Sequence, residues 1–111
     1  MGKPGPGELL QGTLPLLVLR ILLPGPNHGF AIARRIQAIS NDVLRAEEGS
    51  LYPALHKMEL EGWIESDWGV TENNRKAKYY RLTVLGRRQL KRETQRWNSI
   101  AGAIAAILTE A

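Results

Sequence analysis

The sequence predicts a mainly α chain with one small β-hairpin and a long C-terminal helix. Three observations carry this. Three short segments repeat apolar residues at helical spacing, two short segments after them alternate, and the last quarter repeats apolar residues every three, four or seven positions. At 111 residues the chain suits one domain with a small core. Its 43% hydrophobic and 23% charged residues are those of a globular protein.

Residues 1–9, rich in Gly and Pro, read as a flexible tail. Thr13 can cap the first helix, with Pro15 in its first turn, where a missing N–H costs little. Leu14, Leu17, Val18, Ile21 and Leu22 form its apolar stripe, and Pro24, Gly25 and Pro26 stop it. Asn27 suits the cap of a second helix whose apolar face holds Phe30, Ala33 and Ile36, with Ile32 and Ile39 beside them. Arg34, Arg35 and Gln37 face outward, and Ser40, Asn41 and Asp42 mark the end. Ser50 is read as the cap of a third helix with Pro53 in its first turn. Leu51, Ala54, Leu55 and Met58 make its stripe, and Gly62 ends it.

WIESDW then reads as a strand with Ile64, Ser66 and Trp68 on one face. Asn73 and Asn74 suit a turn, and AKYYRL returns as a second strand. Tyr80 and Leu82 share one of its faces, Tyr79 and Arg81 the other. Thr83 caps a last helix to about Thr109, on the order of 40 Å long at 1.5 Å per residue. Leu90, Trp97, Ala101, Ile104 and Leu108 recur along it at heptad-like spacing, with Ile100 and Ile107 alongside.

Three short helices, a hairpin and a long helix are the order of a winged helix-turn-helix (residues 10–82) followed by a C-terminal helix (residues 83–111). In that architecture the third helix enters the major groove and the hairpin is a wing on the flanking backbone or minor groove. The charge pattern agrees. The net charge is +4, and residues 73–92 hold eight basic side chains and no acid, whereas seven of the eleven acids lie between Asp42 and Asp67. Arg75, Lys76, Lys78 and Arg81 lie where a wing meets phosphate, and Asn73, Asn74 and Tyr79 can add neutral contacts. On the third helix, Ser50, Tyr52, Pro53, His56 and Lys57 are candidates for the DNA face. The free N–H groups at its start suit phosphate. The plainer alternative is that Tyr52 and His56 only pack.

Three stretches, GPNHGFAIARRI, GSLYPALHKMELEGWIESDW and ENNRKAKYYRLTVLGRRQL, resemble the PadR family of transcriptional regulators. The resemblance covers residues 10–108 and is carried mainly by LYPAL and NRKAKYYRLT, in the right order and spacing. It is nearest the short members with a single C-terminal helix. It implies a dimer of winged helices, usually a repressor, on a palindromic operator. It further implies that Leu51, Tyr52 and Pro53 start the recognition helix and that residues 75–80 belong to the wing. The last helix would dimerise, commonly against the partner's first helix. Pro15 departs from the family, where an acid is common. Some members bind aromatic small molecules near the dimer interface, which makes Trp97 a candidate for stacking on an effector. An interface Trp more often only packs.

A homodimer is also expected on physical grounds. The stripe of Leu90, Trp97, Ile100, Ala101, Ile104 and Leu108 needs cover that a small domain does not offer. Gly102, among alanines, would permit a close helix approach. Catalysis is not expected: His28 and His56 have no acid spacing around them, and His28 reads as structural. No metal or cofactor motif appears, and no Gly-rich phosphate loop fits. With no Cys, no signal-like start and no apolar run near the ~20 residues of a membrane span, a soluble cytoplasmic protein is expected. The rival reading is a winged helix for protein contacts without DNA, a class that often lacks a basic wing. RNA binding would call for more exposed aromatics. Anionic lipid binding would call for Lys or Arg in the last fourteen residues, which have neither.

Overall fold

A computed structural model describes residues 12–110, so the expected N-terminal tail lies outside the described residues. Helix α1, Leu14–Leu22, buries Leu14, Val18, Leu19 and Leu22. These four residues form one broad arc, and the partly buried Leu16, Leu17 and Ile21 widen the contact, so that α1 touches all three later helices and the second hairpin strand. Thr13 holds the cap position through its backbone, whose carbonyl accepts from the Leu17 N–H at 3.1 Å.

The sheet has three strands rather than the expected two. Asn27–His28 form a short β1 that pairs antiparallel with the second hairpin strand, Asn27 opposite Tyr80 and His28 opposite Tyr79. The cap of α2, Gly29–Ile39, is therefore His28 and not Asn27: His28 Nδ1 accepts from the Ala31 N–H at 3.3 Å. Asn27 Oδ1 accepts from the His28 N–H at 3.0 Å, fixing the residue before the helix. Ile32 and Ile36 are buried as expected, but Phe30 and Ile39 are both 60% exposed. At 100° per residue they fall at the edges of a stripe that the body covers only along its centre. Helix α2 ends on a left-handed Asn41 (φ 53°), with the Asp42 N–H donating to the Gln37 carbonyl at 2.9 Å and the Asn41 N–H to that of Ala38 at 3.2 Å.

Helix α3, Glu48–Leu60, starts before the expected Ser50 cap, with Glu47 as its cap residue. Pro53 is consequently inside the helix. It leaves the Gly49 carbonyl without its i+4 donor, a cost that tertiary packing offsets because Leu51, Leu55 and Met58 are all buried. Gly62 (φ 78°) closes α3 in a Schellman motif, with the Trp63 N–H on the Met58 carbonyl and the Gly62 N–H on that of Glu59, both at 3.0 Å.

Strands β2, Ile64–Val70, and β3, Lys76–Leu82, form the hairpin in a register that pairs Ile64 with Leu82 and Val70 with Lys76. The sheet order is β1-β3-β2. The turn sits at the two asparagines, as expected: Asn74 is left-handed (φ 59°) and donates to the Thr71 carbonyl at 2.9 Å. Helix α4, Val84–Thr109, starts at the expected cap. Thr83 Oγ1 accepts from the Gly86 N–H at 2.9 Å and donates to the Gly62 carbonyl at 2.6 Å, so one hydroxyl joins the α3 terminus to the α4 start.

The core is aliphatic, with Tyr80 as its single buried aromatic and no buried polar side chain among the described residues. Only Gly86 and Leu90 of α4 are buried. The rest of the helix extends past the body, and the chain measures 56 × 32 × 21 Å.

Candidate nucleic-acid interface

Ser50, Tyr52, Pro53, His56 and Lys57 are all exposed along one side of α3. Leu51, also expected to contact DNA, is 1% exposed and is instead the anchor that holds this turn to the core. Tyr52 is positioned by α2: a Cβ on Gly29 would lie 2.8 Å from its Cε1, so the absent side chain at Gly29 is what lets the ring cross the α2 start. The N-terminal turn does not offer the free electropositive end expected for phosphate. Glu47 holds the cap position without a side-chain hydrogen bond and Glu48 is the first residue, and these two exposed carboxylates offset the positive potential of the turn.

The wing divides its charges between two faces. On one, Arg81 Nε lies 3.0 Å from Glu65 Oε1, and Arg81 also bonds Asp67. Asp67 first, and then Glu65, raise the hold of this guanidinium on its proton. Arg81 is therefore shared between two carboxylates within the wing, so its charge toward phosphate is partly offset. Tyr79, on the same face, is braced and also lines the groove between the wing and α2. Its hydroxyl donates to the Val70 carbonyl at 3.2 Å, its ring lies over Gly69, and the His28 ring meets its own at 5.3 Å and 77°.

On the other face, Lys76 and Lys78 alternate with Tyr80, opposite Val70, Trp68 and Ser66. Lys78 Nζ lies 3.7 Å from Glu59 Oε1 on α3, so this lysine is only partly free. Tyr80 below it is held above its ordinary pKa, first by burial and then by Glu59 and Tyr52. Arg75 and Lys76 are exposed and make no ion pair among the described residues, and Asn74 is exposed at the turn.

Between this face and α2 runs an open groove of about 1300 Å³. Arg34 and Arg35 line it from α2, Arg75, Lys76 and Lys78 from the wing, and Tyr52 from α3; Glu72 is the single acid along it. Phe30 and Trp68, 60% and 70% exposed, give it apolar lips, and the Arg34 guanidinium lies over the Phe30 ring at 5.7 Å. From sequence alone Arg34 and Arg35 stand only as outward residues of α2, with no partner. A signal was present: α2 carries two arginines and no acid. Five cations against one carboxylate, in a concavity beside an exposed helix face, suit a phosphate backbone.

On α4, Leu90 is 8% exposed and belongs to the core, which removes it from the expected dimer seam. Trp97 is 47% exposed, Ile100, Ile104 and Leu108 are exposed too, and Ala101 is half-buried. Among the described residues no group of three or more His, Asp or Glu could hold a metal ion. Nor is any described helix long and apolar enough to cross a membrane.

Residues 18–92 match the model of the transcriptional regulator PadR-like family. A PadR-like transcriptional regulator from Bacillus cereus is similar at 26% identity and TM-score 0.80, over 94% of this chain and 99% of that one. A transcriptional regulator from Clostridium thermocellum also superposes at TM-score 0.80, with 25% identity over 89% of this chain and 96% of its own. An uncharacterized protein of Lysinibacillus sphaericus is 28% identical over 93 residues, 84% of this chain and 85% of that one. With a matched stretch across most of its length and neighbours that superpose on nearly all of it, the chain belongs to the PadR-like family and is a winged-helix, DNA-binding transcriptional regulator rather than an enzyme.

Proposed function

We propose that the chain binds double-stranded DNA sequence-specifically as a homodimer and represses transcription from a palindromic operator. In this reading α3 enters the major groove, where Ser50, Tyr52, Pro53, His56 and Lys57 meet base edges. A flanking strand of the duplex lies in the groove between α2 and the wing. The observation that carries the reading is that groove, with Arg34, Arg35, Arg75 and Lys76 converging from two elements beside the exposed α3 face. Phosphate contacts of this kind orient a protein on the duplex, while the α3 side chains read sequence. Trp97, Ile100, Ala101, Ile104 and Leu108 form the seam between two copies. A two-fold dimer calls for two half-sites about one helical turn apart, roughly 34–36 Å, or a multiple of that.

The test is an electrophoretic shift on the DNA upstream of the protein's own gene, with salt titrated and random competitor present. One sharp complex that survives competitor is expected. Arg75→Ala or Lys76→Ala should weaken cognate and random DNA alike and lower the salt slope by about 0.9 each. Tyr52→Ala should lower the preference for the upstream fragment more than it lowers affinity for random DNA. An absence of binding even at low salt would overturn the reading and favour a winged helix for protein contacts.

A further inference from the structure

Of the five cations lining the groove, four make no ion pair among the described residues; the fifth, Lys78, does. Its partner Glu59 sits between two elements. Oε1 lies 3.7 Å from Lys78 Nζ on β3, and Oε2 accepts a hydrogen bond from Ser66 Oγ on β2 at 2.8 Å. Ser66 thus fixes the carboxylate whether or not Lys78 is there. Among the described residues the lysine has no second anion: beyond Glu59 it only reaches over the Tyr80 ring, at 6.0 Å. About two-fifths of the Lys78 side chain and a third of that of Glu59 are open to solvent. An ion pair this exposed biases the lysine toward its carboxylate without locking it there.

We infer that Glu59 is a positioning residue that holds Lys78 toward α3 and withholds its charge from the phosphates of non-cognate DNA. The inference rests on the proposed DNA reading of the groove. A phosphate recruits Lys78 only by drawing it away from a carboxylate that Ser66 keeps in place. Loosely docked duplex therefore gains little from this lysine, while Arg34, Arg35, Arg75 and Lys76 act freely. Glu59 thus lowers non-specific affinity through one cation, leaving the base-reading face of α3 untouched.

The experiment is fluorescence anisotropy of a labelled random-sequence duplex against the full chain, with KCl titrated, for the wild type, Glu59→Gln, Lys78→Gln and the double variant. Circular dichroism confirms that each is folded. Glu59→Gln is expected to bind several-fold tighter than wild type, with a salt slope steeper by about 0.9, the value of one added phosphate contact. That gain should vanish in the Lys78→Gln background. Glu59→Asp keeps the charge but draws it back by one methylene from both partners; it should show part of the gain, and it serves as the second variant if Glu59→Gln does not fold. An unchanged affinity and slope would overturn the inference. So would a full gain without Lys78, because that would reflect only the loss of a negative charge. Wild-type protein that ignores the duplex even at low salt would overturn the DNA reading itself, and the inference with it.

Discussion

The residues up to Leu90 and those beyond it are similarly rich in aliphatic side chains, yet they meet opposite surroundings. Among the described residues every buried hydrophobic side chain lies between Leu14 and Leu90. Past Leu90 no described residue is buried, although Trp97, Ile100, Ile104, Ile107 and Leu108 all follow. The first region closes on itself because α1 is enclosed by three helices and the sheet. The second outruns the body, since α4 has 26 residues and rests on it only near its start. An apolar stripe in a sequence states that cover is needed; topology decides whether the cover comes from the same chain. Here it points to a second copy for the far half of α4, as proposed.

The joint between the two regions is where the largest effect is expected. Gly86 packs so closely against the loop before β2 that a Cβ there would lie 1.9 Å from the Trp63 carbonyl oxygen. The neighbouring backbone cannot yield, because the Trp63 carbonyl also accepts the Thr83 N–H at 3.1 Å and Thr83 bonds Gly62 and Gly86. Gly86→Ala should therefore cost about 3 kcal/mol, the upper end for overpacking. Urea denaturation followed by circular dichroism measures it. Unchanged stability would show that α4 docks with more freedom than this contact implies.

The second prediction separates the two regions. Trp97→Asp places a charge in the proposed seam without touching the core. It should cost about 3 kcal/mol of association, on the order of a hundredfold in dimer Kd, and leave the body folded. Sedimentation at several concentrations reads the first effect and near-ultraviolet dichroism the second. An undisturbed dimer would move the seam elsewhere.

The same contrast explains what could be read from the chain. Local rules served well where chemistry and position are neighbours in sequence: the Thr83 cap, the turn at Asn74 and the Leu51, Leu55 and Met58 stripe all stand where spacing puts them. They failed where distant partners decide. The two-residue strand at Asn27 has no periodicity to reveal it and exists because β3 passes alongside. The start of α3 lies ahead of the Ser50 that local rules favour, because Ser50 and Pro53 fit a first turn well while Glu47 carries a weaker capping signal. Leu90 reads as the first seam position, but the body reaches that far. For the interface, the basic wing was visible in composition. The engagement of Lys78 by Glu59 and of Arg81 by Glu65 and Asp67 was not, since it depends on hairpin register and on how α3 packs beside it.

The two faces of the wing offer a finer version of this comparison. Lys76 is unpaired among the described residues and lines the groove, whereas Arg81 is paired with Glu65 and Asp67 on the opposite face. Lys76→Ala should lower the salt slope of DNA binding by about 0.9, and Arg81→Ala should leave it within error. Equal slopes lost in both variants would mean that the duplex contacts both faces, and the groove would no longer be its single track.

The smallest expected effect returns to α4 and sets Gly102 against Gly86. A Cβ at Gly102 meets nothing within 4 Å in this chain. Sequence alone suggests that a glycine among alanines lets two helices approach closely. Helical geometry argues otherwise: at roughly 100° per residue, Gly102 lies about 150° around the helix from the middle of the stripe formed by Trp97, Ile100, Ala101, Ile104 and Leu108. It therefore faces away from the proposed seam, and only its helix propensity should count. Gly102→Ala should stabilise the chain by up to about 1 kcal/mol, with dimer affinity unchanged or slightly improved because α4 is better ordered. A rise in the urea midpoint together with an unaltered sedimentation isotherm would place the seam on the Trp97 side. A weakened dimer would show that the partner's backbone comes against Gly102, and the stripe read from the sequence would then be only one edge of the contact.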